Sequence, residues 1–334
     1  MRRASILAGL LIYFATSAQF SAARAEPAEV DVAYLPLLGS SQIFIMESEG
    51  WAKEAGLALR MTRFNSGTAI VQALASGKFD IAIMAMAPVI VARAAGVNLK
   101  VVAAMHDVNS HAFVGVNLLA DGYAKTGSPA DAFAKFFKDT GRPIKIATLP
   151  KGTLPDTAIR YYIDWHKIKS EHYQILNQGD EQVLQSMLAG AADAVSLAEP
   201  LMTIIKSKVP GAQILASGAT LMPGHPGFVF AIRETFIEKN PDAVRKLVDL
   251  NARATELIKK EPARSARSAL NFIGRGLLDE ELMTTAISSP YNPVASDPRI
   301  LVAGTEMMQD FQVKLGVQVR KVPTDELFDF RFTK

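Results

Sequence analysis

The chain has no cysteine among its 334 residues, which excludes a disulfide framework, a thiol nucleophile and any cysteine-ligated metal site. It also leaves no residue for a lipid anchor at the N-terminus. Histidine is sparse: His106, His111, His166, His172 and His225 are scattered, with no His-x3-His or similar ligand pair. Walker-type Gly-x4-Gly-Lys-Ser/Thr, Gly-x-Gly-x-x-Gly and Gly-x-Ser-x-Gly sequences are all missing, so nucleotide binding and serine-hydrolase chemistry have no support. No Lys/Arg run and no helix-turn-helix pattern occur, so nothing marks a nucleic-acid partner. Beyond the N-terminal segment there is no run of 18 apolar residues to span a bilayer.

What is present begins with a secretory signal. Arg2 and Arg3, the apolar run Ile6 to Phe14 and the small-x-small sequence Ala23-Arg24-Ala25 predict cleavage after Ala25, giving an exported chain starting at Glu26. Cleavage removes three arginines and no acid, so the whole-chain charge of +3 falls to about neutral. The remaining length and a composition that is 49% hydrophobic suit two cores.

The strongest organisational feature is an internal repeat. Val30-Asp31-Val32-Ala33-Tyr34-Leu35-Pro36 is echoed by Ile144-Lys145-Ile146-Ala147-Thr148-Leu149-Pro150. Phe64-Asn65-Ser66-Gly67 is echoed by Leu176-Asn177-Gln178-Gly179, and Gln72, Gly77 and Asp80 by Gln185, Gly190 and Asp193. The three echoes keep one order and nearly one spacing. Each unit reads as strands alternating with helices, which implies a mostly parallel sheet covered on both faces. Strands at His111 to Val116 and Gly227 to Ile232 are candidate crossing strands between two lobes. The amphipathic helical tail from Glu234 is expected to return to the first lobe. The expected division is lobe 1 over residues 26–115 and 228–334, with lobe 2 over 116–227.

Ligands of open α/β sheets sit beyond the carboxyl ends of strands, where loops enter helix N-termini with unpaired N–H groups. Here Gly39-Ser40-Ser41, Ser66-Gly67-Thr68, Ala85-Met86-Ala87-Pro88 and Lys151-Gly152-Thr153 occupy such places. Each loop alone suits ordinary helix capping; four converging loops suit an anion site. Ser40, Ser41, Ser66, Gly67, Thr68, Ala87, Gly152 and Thr153 are therefore the candidates for an anion end. Glu199, before Pro200, is either a helix cap or a carboxylate facing the donor end of a ligand. Contact with ligand stays open for His106, His111 and His225, which flank the crossings; surface or core roles are expected for His166 and His172.

Several segments resemble the periplasmic binding proteins of the nitrate/sulfonate/taurine type. The similarity covers Tyr34-Leu35-Pro36, the stretch Glu49 to Leu57, Phe64 to Thr68 with Ala73 to Asp80, Ala92 to Val102, Pro150 to Thr153, Leu188 to Asp193, Glu199-Pro200 and Asn240 to Val244. Their order covers nearly the whole chain from Val30 to Phe330. The resemblance implies a two-lobed type II periplasmic-binding fold, hinge closure on a small solute, and docking to an ABC permease and its ATPase. It implies a monomer without cofactor or metal, free in the periplasm, binding a small anionic or zwitterionic solute without turnover. Two rival readings are a ligand sensor and an enzyme on the same fold using His or Glu as acid or base. Relatives that make a thiamine pyrimidine carry a cysteine-rich motif that is absent here.

Overall fold

The computed structural model describes residues 26–334, apart from 109, 110, 275 and 277; the expected signal segment, 1–25, lies outside them. Two five-stranded sheets are formed. The first contains β1 (Ala28–Tyr34), β2 (Leu57–Arg63), β3 (Ile81–Ala85), β4 (Leu99–Ala104) and β10 (Phe228–Arg233), in the order β2-β1-β3-β10-β4. The second contains β5 (His111–Gly115), β6 (Ile144–Thr148), β7 (Tyr173–Asn177), β8 (Ala194–Ala198) and β9 (Gln213–Ser217), in the order β7-β6-β8-β5-β9. In each sheet four strands share one direction, and the strand entering from the other lobe is antiparallel to both its neighbours.

The two orders are identical when β1 is matched with β6, β2 with β7, β3 with β8, β10 with β5 and β4 with β9. The sequence echoes mark the same equivalence in hydrogen bonds. Asp80 accepts the Asp31 N–H on its carboxylate at 3.0 Å, and its own N–H donates to the Asp31 carbonyl. Asp193 does the same with Lys145, at 2.9 Å. Each aspartate thus stitches the start of β3 or β8 to the adjoining strand, satisfying backbone groups that the short ladder leaves over.

One boundary differs from expectation. His111–Gly115 belongs to the second sheet, paired with β8 and β9, whereas the sequence division placed residues up to 115 in the first lobe. A strand leaving the hinge with a fully buried run, His-Ala-Phe-Val-Gly, finds its ladder partners in the sheet it enters. The tail from Glu234 packs on the first sheet's side: the helix Ser41–Ser48 contacts both Pro241–Lys260 and Pro262–Ile273. Asn251 donates to the Ala104 carbonyl at 2.8 Å, and Gln42 to the Met105 carbonyl at 2.6 Å.

The chain passes between the sheets twice. These passages run side by side: Val108 bridges Pro226, Gly227 N–H donates to Asp107, and Met105 N–H donates to Phe228. Two adjacent strands of chain, with bonds across them, form the hinge segment between the lobes.

Candidate functional site

The carboxyl ends of the parallel strands in both sheets open on one cleft between the lobes. Its inner chamber is lined from the first lobe by Leu35, Leu37, Gly67, Ala85, Pro88 and Phe228, and from the second by Leu149, Thr153, Leu154, Pro155 and Ala198. It encloses about 20 Å³, room for about one water. No charged side chain lines it. Beside it lies a second, more open space of about 310 Å³, the mouth, lined by Thr68, Val71, Gln72, Pro88, Val91, Lys151, Gly152, Gly316 and Val317. Pro88 borders both spaces, and Gly67-Thr68 and Gly152-Thr153 pass from one to the other.

The lobes stand close together. Leu38 N–H, from the loop after β1, donates to the Glu199 carbonyl, after β8, at 3.2 Å. On one rim Tyr161 meets Phe311 edge-to-face, with ring centroids 5.1 Å apart, and Lys314 pairs with Asp164 at 2.7 Å. Helix Leu154–Trp165, carrying Tyr161 and Asp164, follows β6, whereas Val302–Lys314 is tied to the first lobe by Gln312 donating to the Ala87 carbonyl. On the other rim Arg63 faces Glu181 at 3.7 Å.

Of the residues expected at the site, Gly67 and Thr153 line the chamber, and Thr68 and Gly152 the mouth. Gly67 is fixed by proximity: a Cβ there would lie 2.7 Å from Pro88 Cγ. Gly152 has φ of +86°, a conformation that L side chains rarely adopt. Thr153 begins the helix Leu154–Trp165, but its hydroxyl donates to the Pro150 carbonyl at 2.7 Å.

Ser40, Ser41, Ser66, Ala87 and Glu199 line neither space. Ser41 Oγ donates to the Leu38 carbonyl, and Ser66 Oγ accepts the Ala69 N–H, capping the helix Gly67–Ala75. Ser40 Oγ is buried without a hydrogen-bond partner among the described residues. Glu199 accepts from both the N–H and the hydroxyl of Thr203, so its carboxylate serves the first turn of the helix Leu201–Lys208. Burial pushes it up to about 7, opposed by the Thr203 bonds, the Ser289 hydroxyl and Lys206.

The three hinge histidines are fully buried and outside both spaces. His106 Nε2 donates to Asn292 Oδ1 at 2.8 Å. His111 Nε2 donates to Ser196 Oγ, whose own proton goes to the Pro155 carbonyl. His225 Nδ1 donates to the Met222 carbonyl. Burial holds His106 and His225 down at about 4 and His111 well below its ordinary value, with His225 adding to the effect on His111. Among the described residues no group of three or more His, Asp or Glu is placed to hold a metal ion, and no helix is long and apolar enough to cross a membrane.

The chamber-lining leucines, Pro155 and Phe228 were not singled out as site residues in the sequence. A signal for two of them was there: Leu35 and Leu149 are matching residues of the first echo.

Two sheets of one topology, a double hinge and a cleft at the strand ends define the type II periplasmic-binding fold. The chain belongs to the NMT1-like family, whose profile matches residues 23–272. A Bacillus subtilis (strain 168) protein, by its name a candidate aliphatic sulfonates-binding protein, is 24% identical over 300 residues, spanning 88% of this chain and 84% of that one. Among solved structures, the alkanesulfonate-binding protein SsuA of Xanthomonas axonopodis pv. citri bound to MOPS superposes with TM-score 0.72 at 15% identity, covering 91% of this chain and 99% of that one. The periplasmic nitrate-binding protein NrtA of Synechocystis PCC 6803 gives 0.69 at 15% identity, with coverage of 90% and 84%.

Proposed function

We propose that this chain is the periplasmic solute-binding component of an ABC importer, capturing a small anionic or zwitterionic solute of sulfonate, taurine or nitrate type between its lobes. The observation that carries this reading is the cleft: both sheets present their strand ends to it, the chain crosses the hinge beside it twice, and neither lobe alone encloses it. Such a cleft opens to admit a solute and closes to hold it, with the closed surface presented to a permease. The family and the names of the relatives support the same role. A periplasmic site of action agrees with the export signal expected over residues 1–25.

A binding reading is favoured over an enzymatic one by the chemistry at the cleft. None of the groups lining the chamber is a general base, and the buried histidines and Glu199 are turned to structural partners. The test is native mass spectrometry of protein purified from a periplasm, followed by incubation of the co-purified solute with fresh protein. A solute released unchanged is the expected result. Its conversion to another compound would replace the carrier reading with an enzymatic one.

A further inference from the structure

The family profile ends at residue 272, yet part of the mouth is built after it. Gly316 and Val317, in the turn that follows the helix Val302–Lys314, line the mouth together with Lys151 and Gly152 of the second lobe. A Cβ built on Gly152 would lie 3.9 Å from Val317 Cβ, in ordinary van der Waals contact. Buried glutamines tie this turn to the helix before it. The N–H groups of Val317 and Gln318 both donate to the Gln312 carbonyl, and Gln318 Nε2 donates to Gln309 Oε1 at 2.9 Å. Gln309 in turn exchanges two bonds with the backbone of Val322, at 3.0 and 2.7 Å, and the Gln312 side chain donates to the Ala87 carbonyl at 3.3 Å. Val317 is thereby fixed to the first lobe, while the backbone it touches belongs to the second.

The chamber has two neighbouring spaces. Pro88 borders both it and the mouth, and Leu37 borders both it and a space of about 310 Å³ on the other rim, whose charged lining is Arg63, Asp180 and Glu181. The two sides are sealed differently. Beside Leu37 the lobes are joined by the backbone bond from Leu38 to Glu199 and by Arg63 facing Glu181. Val317 offers Gly152 only van der Waals contact, which is weak atom by atom. We propose that the mouth is the door of the cleft and that Val317 is the residue that bars it. With the lobes together its side chain rests on Gly152, and small molecules pass when that contact parts. The assignment rests on the carrier reading, which makes the cleft the place of binding, and adds to it a determinant from the tail that the family profile does not reach.

The absence of cysteine makes thiol labelling of the full chain unambiguous. Ala198→Cys places one thiol on the chamber wall, and its rate of reaction with sulfonatoethyl methanethiosulfonate measures access from solvent. Adding Val317→Gly should raise that rate about fivefold, the scale of losing a partly buried valine's contact. Adding Val319→Gly instead, at a side chain 81% exposed in the same turn, should leave the rate unchanged, which separates a door from general loosening of the turn. In a second chain, without the chamber thiol, Gly152→Cys and Val317→Cys should join under oxidised glutathione, because Cβ atoms 3.9 Å apart suit a disulfide. An unchanged labelling rate in Val317→Gly, or equal acceleration by Val319→Gly, would overturn the proposal. Acceleration by Glu181→Ala and not by Val317→Gly would overturn it too, moving the door to the other rim. A folded double-cysteine chain that stays reduced would overturn the contact itself. The labelling needs no solute, so the carrier reading is judged separately, by the co-purified solute.

Discussion

Leu35 and Leu149 stand at the same place in the two halves of the chain, one residue past β1 and one past β6, and both line the inner chamber. Ala85 and Ala198, the last residues of β3 and β8, form a second such pair. The chamber is therefore built from the matched ends of a duplicated sheet. Leu35 is 5% exposed and Leu149 6%, so each is core as well as wall. Leu35→Ala and Leu149→Ala should each cost ~2 kcal/mol of folding stability, the low end for a buried leucine beside existing space. Urea unfolding measures both. A gap wider than about 1 kcal/mol between them would mean that equivalent positions are not equivalently packed.

The hinge histidines predict an acid-side loss of stability. A histidine in the unfolded chain binds a proton below about 6.5, whereas His106 and His225 stay neutral in the fold down to about 4. Their folded-state values are depressed, so the stability they contribute is whole above about 6.5 and is lost as pH falls toward 4. Between pH 7 and pH 5 the loss is ~2 kcal/mol for each of the two. His106→Gln should flatten the decline by one histidine's share in urea unfolding at the two pH values. An unchanged slope would show that His106 takes up its proton without unfolding.

Glu199 works in the opposite direction. Its value is raised to about 7 by burial, so its contribution to stability is whole below about 4.5 and is lost as pH climbs through 7. The carboxylate oxygens that receive Thr203 cannot offset the removal of the charge from water. Glu199→Gln keeps an acceptor for the Thr203 N–H and an amide for its hydroxyl, and should stabilise the protein at pH 8 by ~2 kcal/mol relative to pH 5. Because the side chain lies outside the chamber, ligand affinity near pH 6 should change less than twofold. A uniform destabilisation at both pH values would sink the burial argument.

The fold was legible because duplication leaves a double trace. Asp80 and Asp193 sit at matching places in the echoes, and each turns out to bind the strand beside it through the same pair of backbone bonds. The site was less legible. Small hydroxyl residues at strand ends point to a helix N-terminus, but a hydroxyl already bonded to a nearby backbone group has less left to offer a solute. Ser41, Ser66 and Thr153 are satisfied by Leu38, Ala69 and Pro150, respectively. The residues that do form the wall are leucines and prolines, which look the same in a sequence whether they face a core or a cleft. Only the meeting of the two lobes, through contacts such as Leu38 to Glu199, decides which they face. The lobe boundary expected at residue 115 falls too late along the chain, because a buried run such as His111–Gly115 records that a strand is paired, not with which partner.

The rim contact between Tyr161 and Phe311 leads to a prediction about closure. Tyr161 is only partly buried and comes from the second lobe, while Phe311 is buried on the helix that belongs with the first. Their edge-to-face contact exists only when the lobes are together, and the Lys314–Asp164 pair reinforces it from an exposed position worth little by itself. An aromatic pair of this geometry contributes ~1 kcal/mol beyond its buried area. Tyr161→Ala should therefore shift the lobes toward the open arrangement. Ligand affinity should weaken by about fivefold, since binding must then supply the lost closure energy. The unfolding transition should move little, because Tyr161 is only partly buried at the edge of the core. Small-angle scattering with saturating ligand should give the smaller radius of gyration for both proteins, and without ligand a larger one for Tyr161→Ala than for the parent. Equal unliganded radii, together with unchanged affinity, would show that the rim contact follows closure without contributing to it.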